Sequence, residues 1–502
     1  MTRRSVLALA AALAATLGSP LPILAQPAPL DGFDALVAGA VRDWQVPGLA
    51  IAVVKDGAVV FSKGYGVREL GKPATVDEHT LFAIGSTTKA MTAALIGMLV
   101  DEKKLAWDDP VTKHLPWFAV GDPYVTRELT VRDLLTHRGG LGNADYLWYG
   151  QDTPRRDILQ RVRLLSPAYS LRSSFIYQNL MYAAAGAVVE AVSGKSWEEM
   201  MRTRIFEPLG MNQTIATAAT LGQQPNVAQP HFTVDKKVTV IENASVGGVA
   251  PAGSVWSSVH DMAKWSAMLL AGGKTNGRTI LSEKTIAEMF TPQTIVTDEA
   301  FYPTTRLTKP KWKTYGLGWF QQDYRGRAVD YHTGSIDGMV AIHGLLRDQN
   351  VGVYVLANRD HAELRHALMF DVFDRFIGGP RRDWSTELRA LYDGLEKEGD
   401  AERHKAEAKR VAGTKPSLSL AAYAGTYTDP LYGDLVITLA GDRLKAQYGS
   451  AFVGPLEHWH FDTFRAKWNA VWRGTSLIAF LLDEDGKPAA VEAMGMKLTR
   501  AK

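Results

Sequence analysis

Cysteine is absent from the 502 residues of this chain. Its absence excludes disulfides, thiolate-bound metals, iron–sulfur clusters and a lipid-modified cysteine. Excess charge is also lacking, because 56 Lys and Arg against 53 Asp and Glu leave a formal net charge of +3. Nothing in that balance indicates a nucleic-acid partner or a membrane surface. The whole chain is 46% apolar and 22% charged, which is an ordinary composition for a globular protein. Its length allows two or more domains.

The first 25 residues have the pattern of an export signal. Two arginines, Arg3 and Arg4, precede an apolar run over 6–17, and 23–25 offers a cleavage site. The arginine pair is similar to a twin-arginine signal. The apolar run is too short to span a bilayer comfortably, and the later sequence has no run that qualifies. We predict cleavage after residue 25 and a periplasmic or secreted protein without stable membrane insertion; an uncleaved anchor is the alternative.

Strand patterns at both ends of a long helical segment predict the fold of the main domain. Such an order indicates an α+β domain in which an antiparallel sheet is flanked by helices and carries an all-helical insertion. The predicted elements are a helix at 33–44, a hairpin of strands at 49–54 and from 58, a chiefly helical stretch at 81–273, strands at 315–320, 339–346 and 351–356, and a helix at 364–377.

The C-terminal part has a different pattern. Apolar residues at helical spacing after residue 380 predict a linker helix, and short strands separated by turn signals from about 423 predict a small all-β barrel. The predicted division is an export signal at 1–25, a main domain at 26–380, a linker at 381–415 and the barrel at 416–502.

A serine and a lysine three residues apart, Ser86 and Lys89, form the first candidate for chemistry. Residues at this spacing share one face of a helix, so the amine can reach the hydroxyl. Thr87 to about Leu105 is predicted as a long apolar helix with Ser86 at its start, and an adjacent amine is one known way to activate a serine. Alone, this motif is weak evidence for catalysis, since a serine that caps a helix followed by a solvated lysine would have the same sequence pattern.

Two further motifs follow, Tyr177-Gln178-Asn179 and His332-Thr333-Gly334. Together with Ser86-x-x-Lys89, in this order, they resemble the class C serine β-lactamases and the related penicillin-binding-protein-like hydrolases. The third motif resembles the H-T-G esterase and peptidase branch, and the tail resembles the lipocalin-like barrel of some exported members. Further family signatures are similar at 134–141, 205–211, 315–319 and 332–338.

The resemblance implies a role for each motif residue. Ser86 is then the nucleophile that becomes acylated, and Lys89 and Tyr177 are the proton-transfer pair, although which is the base stays open. His332 of the third motif completes the predicted catalytic set. The resemblance also implies that Asn179, Thr333, Gly334 and Ser335 bind the substrate. The backbone N–H groups of Ser86 and Ser335 would then form the oxyanion hole. No cofactor and no metal are implied, and histidine pairs such as His361 and His366 lack a metal-binding pattern.

His332 narrows the substrate prediction, because most β-lactamases and D,D-peptidases of the family carry lysine there. A mostly neutral histidine weakens the anchor for a substrate carboxylate and predicts a titration of activity near pH 6–7. We therefore predict cleavage of esters or short peptides. The alternatives are a β-lactamase or D,D-carboxypeptidase and, outside enzymes, an acylatable penicillin-binding or sensing module. The oligomeric state is not indicated, and five aromatics predict either an acyl pocket or core and lid packing: Tyr146, Trp148, Tyr149, Trp256 and Trp319.

Overall fold

The structure is a computed structural model that describes residues 29–501, so the predicted export signal lies outside the described residues. Between its ends the chain forms an α+β domain with a large antiparallel sheet, followed by a long helix and a closed barrel. This is the predicted fold class. The domain boundaries at 380 and 415 remain predictions.

Eight strands form the main sheet, in the order β2-β1-β8-β7-β6-β5-β4-β3, with every neighbouring pair antiparallel. The predicted hairpin is present, and its two-residue turn places Asp56 and Gly57 at φ 51° and 79°, as a type I′ turn requires. The strands are β1 Gly48–Lys55, β2 Ala58–Gly66, β3 Thr294–Ile295, β4 Lys313–Tyr315, β5 Phe320–Tyr324, β6 Arg327–Ile336, β7 Met339–Leu346 and β8 Val351–Ala357.

Helices cover both faces of this sheet, which explains why β1, β7 and β8 are mostly apolar and buried along almost their whole length rather than on alternate residues. On one face lie α1 and α5, and on the other lie α4 and the helical insertion built around α2 and α3. The longer helices are α1 Phe33–Asp43, α2 Thr88–Asp101, α3 Asn179–Ser193, α4 Val259–Leu270, α5 Leu364–Ile377 and α6 Trp384–Ala408.

Short segments fill the insertion and the connections after it. The short α-helices are Val111–His114, Pro123–Glu128, Val131–Leu135, Arg155–Arg161, Trp197–Met201, Glu207–Leu209, Ala250–Gly253, Glu283–Met289, Thr305–Thr308 and, just before the barrel, Leu420–Tyr423. The two-stranded pairs are Phe82–Ala83 with Trp256–Ser257, His231–Val234 with Lys237–Val240, and Lys274–Thr275 with Arg278–Thr279.

Two predicted elements differ from the structure. The single strand predicted at 315–320 is split into β4 and β5, because Gly318 adopts φ 89° and turns the chain so that Trp319 enters the core. The helix predicted to reach Leu105 ends at Asp101, where the chain becomes polar and exposed.

The C-terminal strands close into an eight-stranded antiparallel barrel after α6. Alternating burial, as in Arg443–Tyr448, places apolar side chains inside the barrel. The strands are β9 Gly425–Asp429, β10 Gly433–Ala440, β11 Arg443–Tyr448, β12 Phe452–His460, β13 Thr463–Lys467, β14 Thr475–Leu482, β15 Pro488–Ala493 and β16 Met496–Arg500.

Candidate active site

Ser86 lies in a single 3-10 turn, Gly85–Thr87, that leads directly into α2. The turn is rigidly held, since Thr87 donates to the carbonyl of Ile84 over 2.8 Å and contacts the Tyr354 hydroxyl at 2.5 Å. α2 itself is buried from its first residue through Leu99. A half-buried hydroxyl therefore stands at the start of a helix fixed in the core.

Strand β6 passes against this turn, and Gly334 makes that contact possible. A Cβ on Gly334 would lie 1.9 Å from the carbonyl oxygen of Ile84 and 3.0 Å from the amide nitrogen of Ser86. Gly85 is equally constrained, with φ 52° and its virtual Cβ 2.6 Å from the amide nitrogen of Ser335. The backbone amides of Ser86 and Ser335 therefore flank one tightly packed seam.

Lys89 is fully buried one turn beyond Ser86, and its Nζ lies 2.9 Å from Ser86 Oγ. Its other two contacts are acceptor oxygens, Asn179 Oδ1 at 2.8 Å and the carbonyl of Ala252 at 3.0 Å. Burial lowers the pKa of Lys89 well below its usual value. In the neutral form that burial favours, the amine can give its two N–H groups to these two oxygens and direct its lone pair at the Ser86 hydroxyl.

The Tyr177 ring lies beside this pair. Lys89 Nζ is 4.7 Å from the ring centroid. Burial raises the pKa of Tyr177 well above its usual value, and a hydrogen bond with Ser86 acts in the opposite direction. His137 packs against the tyrosine, with ring centroids 4.4 Å apart, and its Nδ1 accepts the backbone N–H of Gln178 over 3.0 Å. The phenol is thereby held against the serine in its protonated form.

Asp145 fixes the orientation of Asn179. The Asn179 Nδ2 group donates to Asp145 Oδ1 over 3.2 Å, and the same oxygen accepts from Trp148 Nε1 over 2.7 Å. A carboxylate only accepts, so the amide must turn its own oxygen towards Lys89. The charge of Asp145 also raises the pKa of Lys89, against the larger effect of burial.

His332 is buried between two partners and does not face solvent. Its Nδ1 donates to the carbonyl of Thr333 over 2.5 Å, and its Nε2 lies 3.1 Å from the Tyr315 hydroxyl. Burial, which disfavours a charged imidazole, lowers the pKa of His332 to about 3. The titration near pH 6–7 expected from the sequence is therefore wrong for this residue, because an imidazole without water stays neutral there.

Arg365 supports the same strand from behind. Its Nη1 donates to the carbonyl of Gly334 over 2.6 Å and to Ser335 Oγ over 3.0 Å, and Glu363 pairs with the opposite edge at 3.1 Å. Across a planar trans peptide the N–H points away from the C=O. Holding the Gly334 carbonyl thus directs the Ser335 N–H to the side facing Gly85. Thr333 Oγ1, in turn, lies 2.9 Å from the Tyr302 hydroxyl.

All eight site residues predicted from the motifs meet at this seam, whereas the sequence did not identify three residues that hold them: His137, Asp145 and Arg365. His137 lies inside the family signature at 134–141, but nothing in the sequence around it indicates its contact with Tyr177. The five aromatics take part in core and interdomain packing: Trp256 and Trp319 are in the core, Trp148 packs half-buried against it, and Tyr146 and Tyr149 pack on Phe452 of the barrel.

Two features that other kinds of function require are absent from residues 29–501. No cluster of three or more His, Asp or Glu residues in that range is placed to hold a metal ion. No helix in the same range has both the length and the apolar character needed to cross a membrane.

Comparison with known proteins matches the two parts of the chain to two family models. Residues 33–372 match the Beta-lactamase family, and residues 409–500 match a domain of unknown function, DUF3471. Unguisins hydrolase ungD of Aspergillus violaceofuscus is 31% identical, covering 92% of this chain and 88% of that protein. Penicillin-binding protein 4 of Amycolatopsis lactamdurans is 28% identical, covering 69% of this chain and 88% of that protein.

Solved structures show the same fold. The octameric penicillin-binding protein homologue from Pyrococcus abyssi superposes with a TM-score of 0.61 at 24% identity, covering 94% of this chain and all of that one. SurE superposes with a TM-score of 0.56 at 21% identity, covering 94% and 99%. With a buried lysine on a serine hydroxyl and a family model that spans two thirds of its length, the chain belongs to the beta-lactamase family of serine hydrolases.

Proposed function

We propose that the protein is an exported serine hydrolase that cleaves esters or short peptides through an acyl-Ser86 intermediate. One observation carries the proposal: the buried Nζ of Lys89 lies 2.9 Å from Ser86 Oγ, with its other hydrogen bonds made to acceptors. Desolvation favours the neutral form of this lysine, which is the form that can act as a base.

The steps follow from the contacts. Lys89 accepts the Ser86 proton as Oγ bonds to the substrate carbonyl carbon, and the oxygen that becomes negative lies between the amides of Ser86 and Ser335. When the tetrahedral intermediate collapses, the bond from the carbonyl carbon to the alcohol or amine breaks. The leaving group takes up the proton that Lys89 had accepted, which Tyr177 passes to it. Water then attacks the acyl-enzyme with the same groups in the same roles, releasing the acid and restoring Ser86.

The opposite pKa directions of Lys89 and Tyr177 support the lysine as the base of the free enzyme. Burial disfavours the charged form of each group, so it favours the neutral amine of Lys89 and the protonated phenol of Tyr177. In this arrangement Tyr177 is the relay, because a protonated phenol can donate to the leaving group while it accepts from the Lys89 ammonium.

The neutral environment of His332 supports ester or peptide substrates over β-lactams. A buried imidazole with a pKa of about 3 provides no cation for a penicillin carboxylate at neutral pH. A relative named as a hydrolase of unguisins is in keeping with this substrate class. The second candidate, β-lactam or D,D-carboxypeptidase activity, rests on the relative named penicillin-binding protein 4. A module that only binds, without being acylated, has no need of the ordered Asn179 and Asp145 contacts; an acylatable module shares them and differs from a hydrolase only in turnover.

Steady-state hydrolysis of separate substrates tests this proposal. A 4-nitrophenyl ester, a chromogenic cephalosporin and a series of short peptides are assayed with the wild type, Ser86→Ala and the exposed-serine control Ser173→Ala. We expect ester or peptide turnover that disappears in Ser86→Ala alone. Cephalosporin turnover that rivals the ester would favour the second candidate, and a single stoichiometric burst would favour the acylatable module.

A further inference from the structure

A cavity of about 500 Å³ lies between the hydrolase domain and the barrel. The hydrolase side contributes Tyr149 and Glu242, and the barrel side contributes Ala451, Asn469, Trp472 and Arg473. The barrel residues 471–473 form a 3-10 turn between β13 and β14 that projects towards the hydrolase domain. The cavity therefore exists only because the barrel is seated on that domain.

This turn is linked to the active-site strand through Asp337. The Asp337 carboxylate accepts from the Tyr149 hydroxyl over 2.9 Å and from Trp472 Nε1 over 3.2 Å, and it pairs with Arg473 Nη2 at 3.3 Å. Asp337 follows Ser335 by two residues, which at about 3.3 Å per residue places it within about 7 Å along the chain. The barrel is thus fixed to the end of the strand that carries an oxyanion-hole amide.

Arg473 is the unexplained group in this cavity. Its side chain is only 6% exposed and is stacked on aromatic rings, with its guanidinium carbon 4.6 Å from the Tyr149 ring and 4.9 Å from the Phe452 ring. Within residues 29–501, its Nε and Nη1 have no hydrogen-bond acceptor. Burying N–H donors of a cation without acceptors is costly. Such donors indicate that an acceptor with negative charge belongs there.

The charges around the strand indicate which acceptor. His332 is neutral, and Arg365 is fully engaged by Glu363, Gly334 and Ser335. Arg473 keeps two nitrogens unused, and the acids that line the cavity with it, Asp152 and Glu242, are exposed to solvent. The arginine with unused N–H donors, which pairs with Asp337 through Nη2 alone, therefore lies beside the strand on the barrel and not in the third motif.

We propose that this cavity is a substrate subsite in which Arg473 binds a carboxylate carried by the acyl part of the substrate, at a distance from the bond that is cleaved. The proposal rests on the proposed function for the identity of the bound molecule. It assigns the barrel a role in specificity: the barrel provides the carboxylate anchor that His332 does not.

Matched substrates test the subsite on the full-length chain. The 4-nitrophenyl monoesters of adipate, pimelate and suberate carry a distal carboxylate, and their carboxamide counterparts are neutral at the same length. We expect the carboxylate ester of the best length to have the higher kcat/KM. In Arg473→Met the ratio of the two kcat/KM values should fall at least ten-fold, as for loss of a hydrogen bond to a charged group, with Arg473→Lys between the two.

Arg465→Met is the matched control. Arg465 is also a barrel arginine, 4.7 Å from an aromatic ring and paired with Glu457, but it does not line the cavity. Its variant should keep the wild-type ratio. Equal loss of both substrates in Arg473→Met, or no preference for carboxylate in the wild type, would overturn the subsite.

A binding measurement separates the subsite from the hydrolase proposal. The 4-nitroanilides of the same acids are titrated by calorimetry into Ser86→Ala, with and without Arg473→Met. Tighter binding of the carboxylate form that requires Arg473 supports the subsite even when the wild type hydrolyses nothing. Equal binding of the two forms overturns it even when hydrolysis is fast.

Discussion

Asn179 donates from Nδ2 to the Asp145 carboxylate over 3.2 Å, and its Oδ1 thereby accepts from Lys89 over 2.8 Å. This relationship joins a loop of the helical insertion to the buried amine. It leaves the Lys89 lone pair for Ser86, because the amide cannot offer its N–H groups to the amine while the carboxylate holds them.

Replacing Asp145 with asparagine should lower kcat/KM by about ten-fold or more, as expected for a lost hydrogen bond to a charged group. An asparagine can present either end of its amide, so the orientation of Asn179 is no longer fixed. Removing the charge also lowers the pKa of Lys89 further, so the acid limb of the pH–rate profile should move to lower pH. Asp157→Asn, on an exposed face of the Arg155–Arg161 helix, is the control and should leave the profile unchanged.

Adding a single methyl group at Gly334 should abolish activity. In Gly334→Ala the Cβ would meet the carbonyl of Ile84 at 1.9 Å, so β6 must move away from the Ser86 turn. We expect a loss of about 1–3 kcal/mol in stability, as for an overpacked core, and at least a hundred-fold loss in kcat. Thermal unfolding and kinetics measure the two effects. Gly222→Ala, with no atom within 4 Å of the added Cβ, should change neither.

Arg365→Lys should lower kcat more than it raises KM. Lysine keeps a charge opposite Glu363 but cannot hold both the Gly334 carbonyl and the glutamate, so the Ser335 N–H loses its fixed direction. A ten- to hundred-fold fall in kcat is expected, on the scale of a weakened oxyanion-hole donor. Arg375→Lys serves as the control, because Arg375 lies on the same helix and pairs with Asp371 away from the strand. An equal fall in both variants would mean that α5 was merely disturbed.

Protonation of His332 should lower the stability of the folded protein at acidic pH and leave its activity near neutral pH unchanged. The pKa of His332 is about 3 in the folded protein against about 6.5 in an unfolded chain, so the unfolded state binds a proton first as the pH falls. Stability from this group is complete above pH 6.5 and is lost towards pH 3, by about 2 kcal/mol between pH 6.5 and 5. His332→Gln should reduce that slope in denaturant titrations. An activity change near pH 6–7 that disappears in His332→Gln would contradict this account.

Local pattern was sufficient for much of the fold. The hairpin of β1 and β2, strands β7 and β8, helix α5 and the barrel all follow from apolar periodicity and turn residues close in sequence. It failed between β4 and β5, where the positive φ of Gly318 interrupts an apolar run to bury Trp319. This break in the strand allows Trp319 to pack in the core, and the apolar run itself contains no pattern that indicates it.

The site shows the same division between local and long-range information. The order of the motifs was enough to predict that Ser86, Lys89, Tyr177 and His332 belong to one site. The protonation of His332 could not be predicted in this way, because it depends on Tyr315 and the neighbouring strands that surround the ring. Asp145 and Arg365 lie 34 and 31 residues from the groups that they hold. Nothing in their own segments identifies those partners, because the contacts arise only when the insertion closes on the sheet.

Covalent acylation tests the central claim most directly. The wild type, Ser86→Ala and Ser173→Ala are each mixed briefly with a 4-nitrophenyl ester, and intact mass is measured before deacylation is complete. The account predicts one acyl group on the wild type and on Ser173→Ala, mapped by peptide digestion to Ser86, and none on Ser86→Ala. Hydrolysis with no adduct on Ser86, or an adduct that persists in Ser86→Ala, would contradict it.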